Sequence, residues 1–334
     1  MRVGTASRTL VALAFAALAA AACSSSTTKA TSPSRHAPGN AGGGPSPFMI
    51  EARHTAKSLG LQDPADLAIG PDGNLYVTDA RQRVSVLSPG GQVLRRWGTA
   101  GNGPGQFHFV PHDPAMRGVS ASIAVAPDGR VYVVDSGNAR VEVFTSSGRF
   151  IRSFGGFGGA QFLSPQFLTA DGSGNVYVAD DGTQTLVKYS STGAVQWQVG
   201  DNAGDDTDLA GHFHVSSSSI DAHGRIVATN DDRSRVVYLD TRGNKVDHFG
   251  SASDFRQGAC DVSIDPAGYV FVNSCAEPTD SPHYTEVFDR NHHLVSTWSP
   301  SPLGWAPRFG AHGEIFTLAD DGSILRLRLN VPER

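Results

Sequence analysis

Six glycines, each closing a short turn between two apolar stretches, recur at Gly73, Gly129, Gly174, Gly224, Gly268 and Gly313, at intervals of 56, 45, 50, 44 and 45 residues. The clearest copy spans residues 122–155. Apolar Ile123 and Val125 run into the turn Pro127-Asp128-Gly129, and Val131 to Val134 then end at Asp135. Val141 and Val143 lead to a second turn at Gly148, and Phe150, Ile151 and Phe154 end at Gly155. Four short strands separated by turn residues make an up-and-down antiparallel sheet. One such sheet cannot bury both its faces, and repeats of about 40 to 50 residues solve this by stacking radially around a shared core. The expected fold is all-β, a six-bladed β-propeller of four-stranded antiparallel blades.

The pattern DGxVYVxDxxNxRVxVF at Asp128–Phe144 resembles the NHL-repeat family of β-propellers. Asp72–Leu87, Gly172–Tyr189 and His223–Leu239 follow it, whereas the copies around Gly268 and Gly313 keep only the turn and the strand hydrophobics. The resemblance covers residues 52–329. It implies the fold and leaves the function open, because propellers carry many unrelated activities.

Ahead of the repeats, residues 1–22 carry Arg2 and Arg8 and then an apolar run from Leu10 to Ala22, too short for a permanent membrane span. They read as an export signal. The ending Ala20-Ala21-Ala22-Cys23 resembles the lipobox of bacterial lipoproteins, which implies lipidation at Cys23 and a location on the outer face of the cytoplasmic membrane or in the cell envelope. Two acyl chains anchor a domain stably. Residues 23–46 are rich in Ser, Gly and Pro with almost nothing to pack, and read as a disordered tether. Residues 47–334 form the propeller. The chain has a formal net charge of -5, and loss of the two signal arginines takes it to -7. A mildly acidic domain without Lys/Arg clusters argues against nucleic acid and leaves the lipid as the membrane contact.

The last repeat provides three strands, Arg308 to Gly310, Glu314 to Leu318 and Ser323 to Leu329. Ala52–Gly60, whose Ser-Leu-Gly ending resembles the other repeat endings, is expected to supply the fourth from the outer edge, tying the termini together and covering a sheet edge. The recurring pairs Asp79/Arg83, Asp135/Arg140 and Asn230/Arg235 read as building elements that satisfy the turn between second and third strands, because they repeat from copy to copy.

Three long excursions, at 98–121, 200–218 and 276–284, interrupt the repeats. The first two join a fourth strand to the next blade, and the third joins a second strand to a third. Both connection types leave an up-and-down sheet from the same end, so all three decorate one face of the disc, where function concentrates. They carry His108, His112, Asp113, His212 and His214, with Phe107 and Phe213 as apolar anchors. This set suits a protein, peptide or cell-wall ligand. Imidazole with carboxylate also suits Zn²⁺ or Ca²⁺, although no HExxH, CxxC or EF-hand spacing is present and no cofactor is firmly implied.

Seven residues before each turn glycine lie the expected channel positions Asp66, Ser122, Phe167, Ser217, Asp261 and Ala306, whose two aspartates are further ligand-binding positions, as in lactonase-type propellers. The peptide-amidating lyase family is a similar six-bladed propeller with Zn²⁺ held by histidines in Pro-His contexts. Pro111-His112-Asp113 resembles one such context, while Pro64-Ala65-Asp66, Pro165-Gln166-Phe167 and Ser216-Ser217-Ser218 carry no histidine. Ser217 has no recognisable base, and no GxSxG elbow is present. Two readings stand: a non-catalytic binding or sensor module, resembling the NHL sensor domains of some bacterial receptor kinases, and a metal-dependent lyase or hydrolase working in the channel. Finally, a hairpin turn Pro266-Ala267-Gly268-Tyr269 makes facing residues sum to 535, which sets Cys260 opposite Cys275. Exported cysteines so placed are expected to form a disulfide.

Overall fold

The structure, a computed structural model, describes residues 46–110, 119–155, 162–200, 215–230, 234–251, 254–255, 258–274, 284–299 and 301–330. Every one of them belongs to the compact unit Gly43–Arg334. Residues 1–45, with Cys23, lie outside the described residues, as do His112, Asp113, His212, Phe213, His214 and Cys275.

The closing strand comes first in the chain, β1 (Phe48–His54). Blade one is β2 (Pro64–Ile69), β3 (Leu75–Asp79), β4 (Arg83–Leu87) and β5 (Val93–Trp97). Blade two is β6 (Ile123–Val125), β7 (Val131–Asp135), β8 (Arg140–Phe144) and β9 (Phe150–Phe154). Blade three is β10 (Pro165–Ala170), β11 (Val176–Asp180), β12 (Thr185–Tyr189) and β13 (Val195–Gly200), and blade four is β14 (Val215–Ile220), β15 (Ile226–Asn230), β16 (Arg235–Leu239) and β17 (Lys245–Phe249). Blade five is β18 (Ala259–Ile264), β19 (Val270–Ser274), β20 (Thr285–Phe288) and β21 (Leu294–Trp298). Blade six is β22 (Arg308–Phe309), β23 (Ile315–Leu318) and β24 (Ile324–Leu329), completed by β1 in the sheet order β1-β24-β23-β22.

The six turn glycines all adopt the left-handed backbone, with φ between 74° and 88°, which costs glycine nothing sterically. In blade two the Ala126 carbonyl accepts the Gly129 N–H at 2.8 Å while the Ala126 N–H donates to Arg130 at 2.9 Å, the three-residue hairpin with a left-handed third residue. The second strands β3, β7, β11 and β15 are buried along their whole length, because each faces a neighbouring sheet on both sides. Accordingly each of the six apolar clusters joins two adjacent blades. One packs Ala68, Tyr76 and Val86 of blade one on Ile123, Val131 and Phe144 of blade two, and another packs Leu67 and Leu75 of blade one on Phe316 and Ile324 of blade six.

Closure by an N-terminal strand is as expected, but its position differs. The strand spans Phe48–His54, with Phe48 facing Leu329 and His54 facing Ile324, and residues 56–60 form turns. The resemblance of Ser58-Leu59-Gly60 to the strand endings reflects Leu59 filling the cluster between blades six and one rather than extending a strand. The fifth hairpin also differs by one residue. Asp265 pairs with Tyr269 around a three-residue loop, so facing residues sum to 534: Ile264 faces Val270 and Asp261 faces Asn273. A bulge then sets Ala259 opposite Ser274, and Cys260 is its extra residue.

Candidate functional site

The inner strands surround a channel, and near its insertion-bearing end a ring of side-chain positions is linked by a hydrogen-bonded series that runs from blade three through blades two, one, six and five to blade four. The Leu168 N–H of blade three donates to Ser122 Oγ of blade two at 3.2 Å, and Ser122 Oγ donates to Asp66 Oδ2 of blade one at 2.7 Å. The Ile123 N–H reaches the same oxygen at 3.0 Å, and the Leu67 N–H donates to Asp66 Oδ1 at 2.7 Å. Arg308 of blade six stands between the two aspartates, Nη2 3.5 Å from Asp66 Oδ1 and Nη1 3.5 Å from Asp261 Oδ2 of blade five. Asp261 accepts the Ala306 N–H at 2.6 Å and the hydroxyl of Ser217 from blade four. In blades one, three, four and five a bulge falls at or just before the ring position, aiming that residue out of the regular alternation.

Burial pushes the Asp66 carboxyl up from its ordinary value, against the pull of Arg308, Ser122 and the two backbone N–H groups. For Arg308 burial opposes the charge, but Asp261 and Asp66 outweigh it and hold the guanidinium above its ordinary pKa. Asp66 and Asp261, expected as ligand-binding positions, thus converge on one guanidinium. Arg308 escaped the sequence reading. The available signal was an arginine on the inner strand of the one blade that lies between the two carrying aspartates.

Next to the ring, two aromatic side chains meet across the axis. Phe167 of blade three and Trp305, just ahead of β22 in the diametrically opposed blade six, have ring centroids 6.0 Å apart at 65°. They stopper the channel at its insertion-bearing end. Behind them lies a cavity of about 210 Å³ lined by the inner strands, running to Ile69, Val125, Ala170, Ile220, Ile264 and Phe309 at the opposite end.

Of the insertion residues, His108 is exposed, its N–H donating to Asp135 Oδ1 at 2.7 Å and its carbonyl accepting from the Gly137 N–H at 2.8 Å. Phe107, expected as a ligand anchor, is fully buried, stacked on Phe109 at 4.7 Å in the cluster between blades one and two. Its counterparts Phe162 and Phe255 are buried likewise, and the recurrence of Gln-Phe at 106–107 and 161–162 was the sign of a repeat element. The Asp/Arg pairs are the building elements expected: Arg83 Nε lies 3.1 Å from Asp79 and Arg140 Nε 2.8 Å from Asp135. Arg140 also ties down the insertion through the carbonyls of Asn102, Gly103 and Gln106 at 2.9, 3.0 and 3.0 Å.

Radial sheets around a stoppered channel define this chain as a six-bladed β-propeller, and residues 121–144 match the NHL repeat. Human "NHL repeat-containing protein 3" is 32% identical over 90 residues, 26% of this chain and 23% of that protein. "Peptidyl-glycine alpha-amidating monooxygenase B" of Xenopus laevis is 32% identical over 97 residues, 27% of this chain and 10% of that protein. The chain therefore matches less than a quarter of the length of these relatives. Among solved structures, a streptogramin B lyase superposes with a TM-score of 0.56 at 13% identity, over 85% of this chain and 98% of that one. Virginiamycin B lyase from Staphylococcus aureus, solved as an inactive variant with quinupristin, gives 0.55 at 11%, over 80% of each chain. At such identities the likeness carries the fold alone.

Proposed function

We propose that the chain is a non-catalytic binding module, an NHL-repeat propeller exported and lipid-anchored at Cys23 that holds a protein, peptide or cell-wall ligand on its insertion-bearing face. The observation that carries this reading is the Phe167–Trp305 stopper, with ring carboxylates behind it already bonded to Ser122, Ser217, Arg308 and backbone N–H groups. Ligand pockets for drug-sized molecules run to about 300–1,000 Å³, above the 210 Å³ here, so a large ligand at this end meets a surface rather than a channel. His108, His112, Asp113, His212 and His214 are its proposed polar contacts. Among the described residues no helix is long and apolar enough to cross a membrane. A Cys260–Cys275 disulfide is part of the proposal. Cys260 sits at a bulge next to Ala259, which faces Ser274, the residue that precedes Cys275 in the chain.

The competing reading, a metal-dependent lyase or hydrolase, draws on the Xenopus laevis match and on the insertion histidines. Metal analysis of full-length protein purified without added metal, combined with co-sedimentation on cell-wall sacculi and capture of solubilised envelope proteins, separates the two. Binding that disappears when the five insertion residues are changed to alanine, with no retained metal, supports the module. A full equivalent of zinc or calcium, with binding unaffected by the five changes, overturns it. Mass spectrometry of the mature N-terminus should find an acylated Cys23, and an unmodified start beyond Cys23 removes the anchor.

A further inference from the structure

The channel is closed at one end and open at the other. Of the six ring positions, Asp66, Ser122, Ser217, Asp261 and Ala306 are 9%, 4%, 2%, 1% and 0% exposed and Phe167 is half-buried; three residues further along the inner strands, Ile69, Val125, Ala170, Ile220 and Phe309 are half-buried and Ile264 is 8% exposed. With Ile264 these residues give one apolar side chain from every blade, a collar around the mouth on the face opposite the insertions. The cavity thus has an apolar entrance and a polar floor.

The floor holds unused hydrogen-bonding capacity. A guanidinium carries five N–H donors, and Arg308 makes one bond as short as 3.0 Å, to the Ala306 carbonyl, its carboxylate contacts lying at 3.5 Å. Its side chain keeps a quarter of its surface exposed, toward the cavity it lines. An acceptor oxygen placed against the exposed part of Arg308 would use its remaining donors, so a polar occupant is favoured.

We propose that the channel is a second binding site, entered from the face opposite the insertions, for a small uncharged amphiphile whose carbonyl or hydroxyl oxygen accepts from Arg308 and whose aliphatic body lies against the collar. Charge selects the class. Two carboxylates and one guanidinium give the floor a net negative charge that repels anions, while Arg308 occupies the position a cation would need. Size selects within it: a 150 Å³ cavity takes one benzene, so 210 Å³ takes about eight non-hydrogen atoms. This site is independent of the ligand proposed for the insertion-bearing face.

The test uses full-length protein with cyclohexanone and cyclohexanol as probes and cyclohexanecarboxylate and cyclohexylammonium as charged controls, titrated by ligand-observed NMR. The neutral probes should bind with Kd near about 1 mM, and the controls at least about tenfold more weakly. Ala170→Trp at the collar should weaken binding by at least about tenfold, whereas Leu163→Ala, an exposed position in the connection leading into β10, should leave it within about twofold. Ile220→Trp replaces the collar variant if circular dichroism shows Ala170→Trp unfolded. Absence of binding by the neutral probes, equal binding by the charged controls, an unaffected collar variant, or loss of binding in Leu163→Ala each overturns the proposal.

Discussion

Arg308 Nη2 lies 3.5 Å from Asp66 Oδ1, joining residues 242 positions apart in the chain. Blade six thereby meets blade one twice, through this inner contact and through the cluster in which Leu67 and Leu75 pack on Phe316 and Ile324. Because Arg308 also faces Asp261, one side chain compensates two buried carboxylates. Arg308→Met should lower the stability measured by urea unfolding by about 2–3 kcal/mol, somewhat less than for a fully buried pair because a quarter of the side chain is solvated. Adding Asp66→Asn and Asp261→Asn should restore most of the loss, and a triple variant no better than Arg308→Met would show that the ring acts through packing instead of charge.

Glu142 of β8 is buried, with Oε1 2.9 Å from Arg140 Nη2 and Oε2 without a partner among the described residues. Burial pushes its pKa up to about 7, against Arg140 and the Gly105 N–H and with help from Asp135. The native state therefore holds a proton that the unfolded chain releases above its ordinary value of 4.5, so stability falls as pH rises from about 4.5 to about 7 and is level beyond. The loss is on the order of 3 kcal/mol. Glu142→Gln should flatten this limb of a stability-versus-pH curve, and identical curves for variant and parent would refute the assignment.

A Cβ added to Gly250 would sit 2.1 Å from the Phe255 ring, on a backbone with φ of 91°. Phe255 is packed against Phe249 and Phe288 and cannot withdraw. Gly250→Ala should cost about 2 kcal/mol or more in urea unfolding. Gly172→Ala, where an added Cβ meets nothing within 4 Å, should stay within about 0.5 kcal/mol of the parent.

Phe48 of the closing strand is 2% exposed and packs on Phe271 and Trp298 of blade five at 5.2 and 6.2 Å. The strand thus grips the neighbouring blade as well as its own. Phe48→Ala should cost about 3–5 kcal/mol. Deleting residues 46–54 should expose the β24 edge and produce concentration-dependent aggregation in light scattering, an outcome that a merely decorative strand would not give.

The blade count, the strand order and the left-handed turn glycines were legible in the residues themselves, because turn chemistry and strand alternation are local and repeat six times over. Closure at the outer edge followed from counting strands in the last repeat. Tertiary packing decided the rest. Whether Phe107 faces solvent or the interface between blades one and two, and whether a three-residue loop moves Cys260 out of register, depend on neighbours that local pattern does not specify. Arg308 gains its two carboxylates only when blade six closes on blade one, and Phe167 meets Trp305 only because three blades of rotation set them on opposite sides of a narrow axis. Contacts made by closing a ring carry no sequence period, so a repeat pattern foretells the ring and leaves unstated what its centre holds.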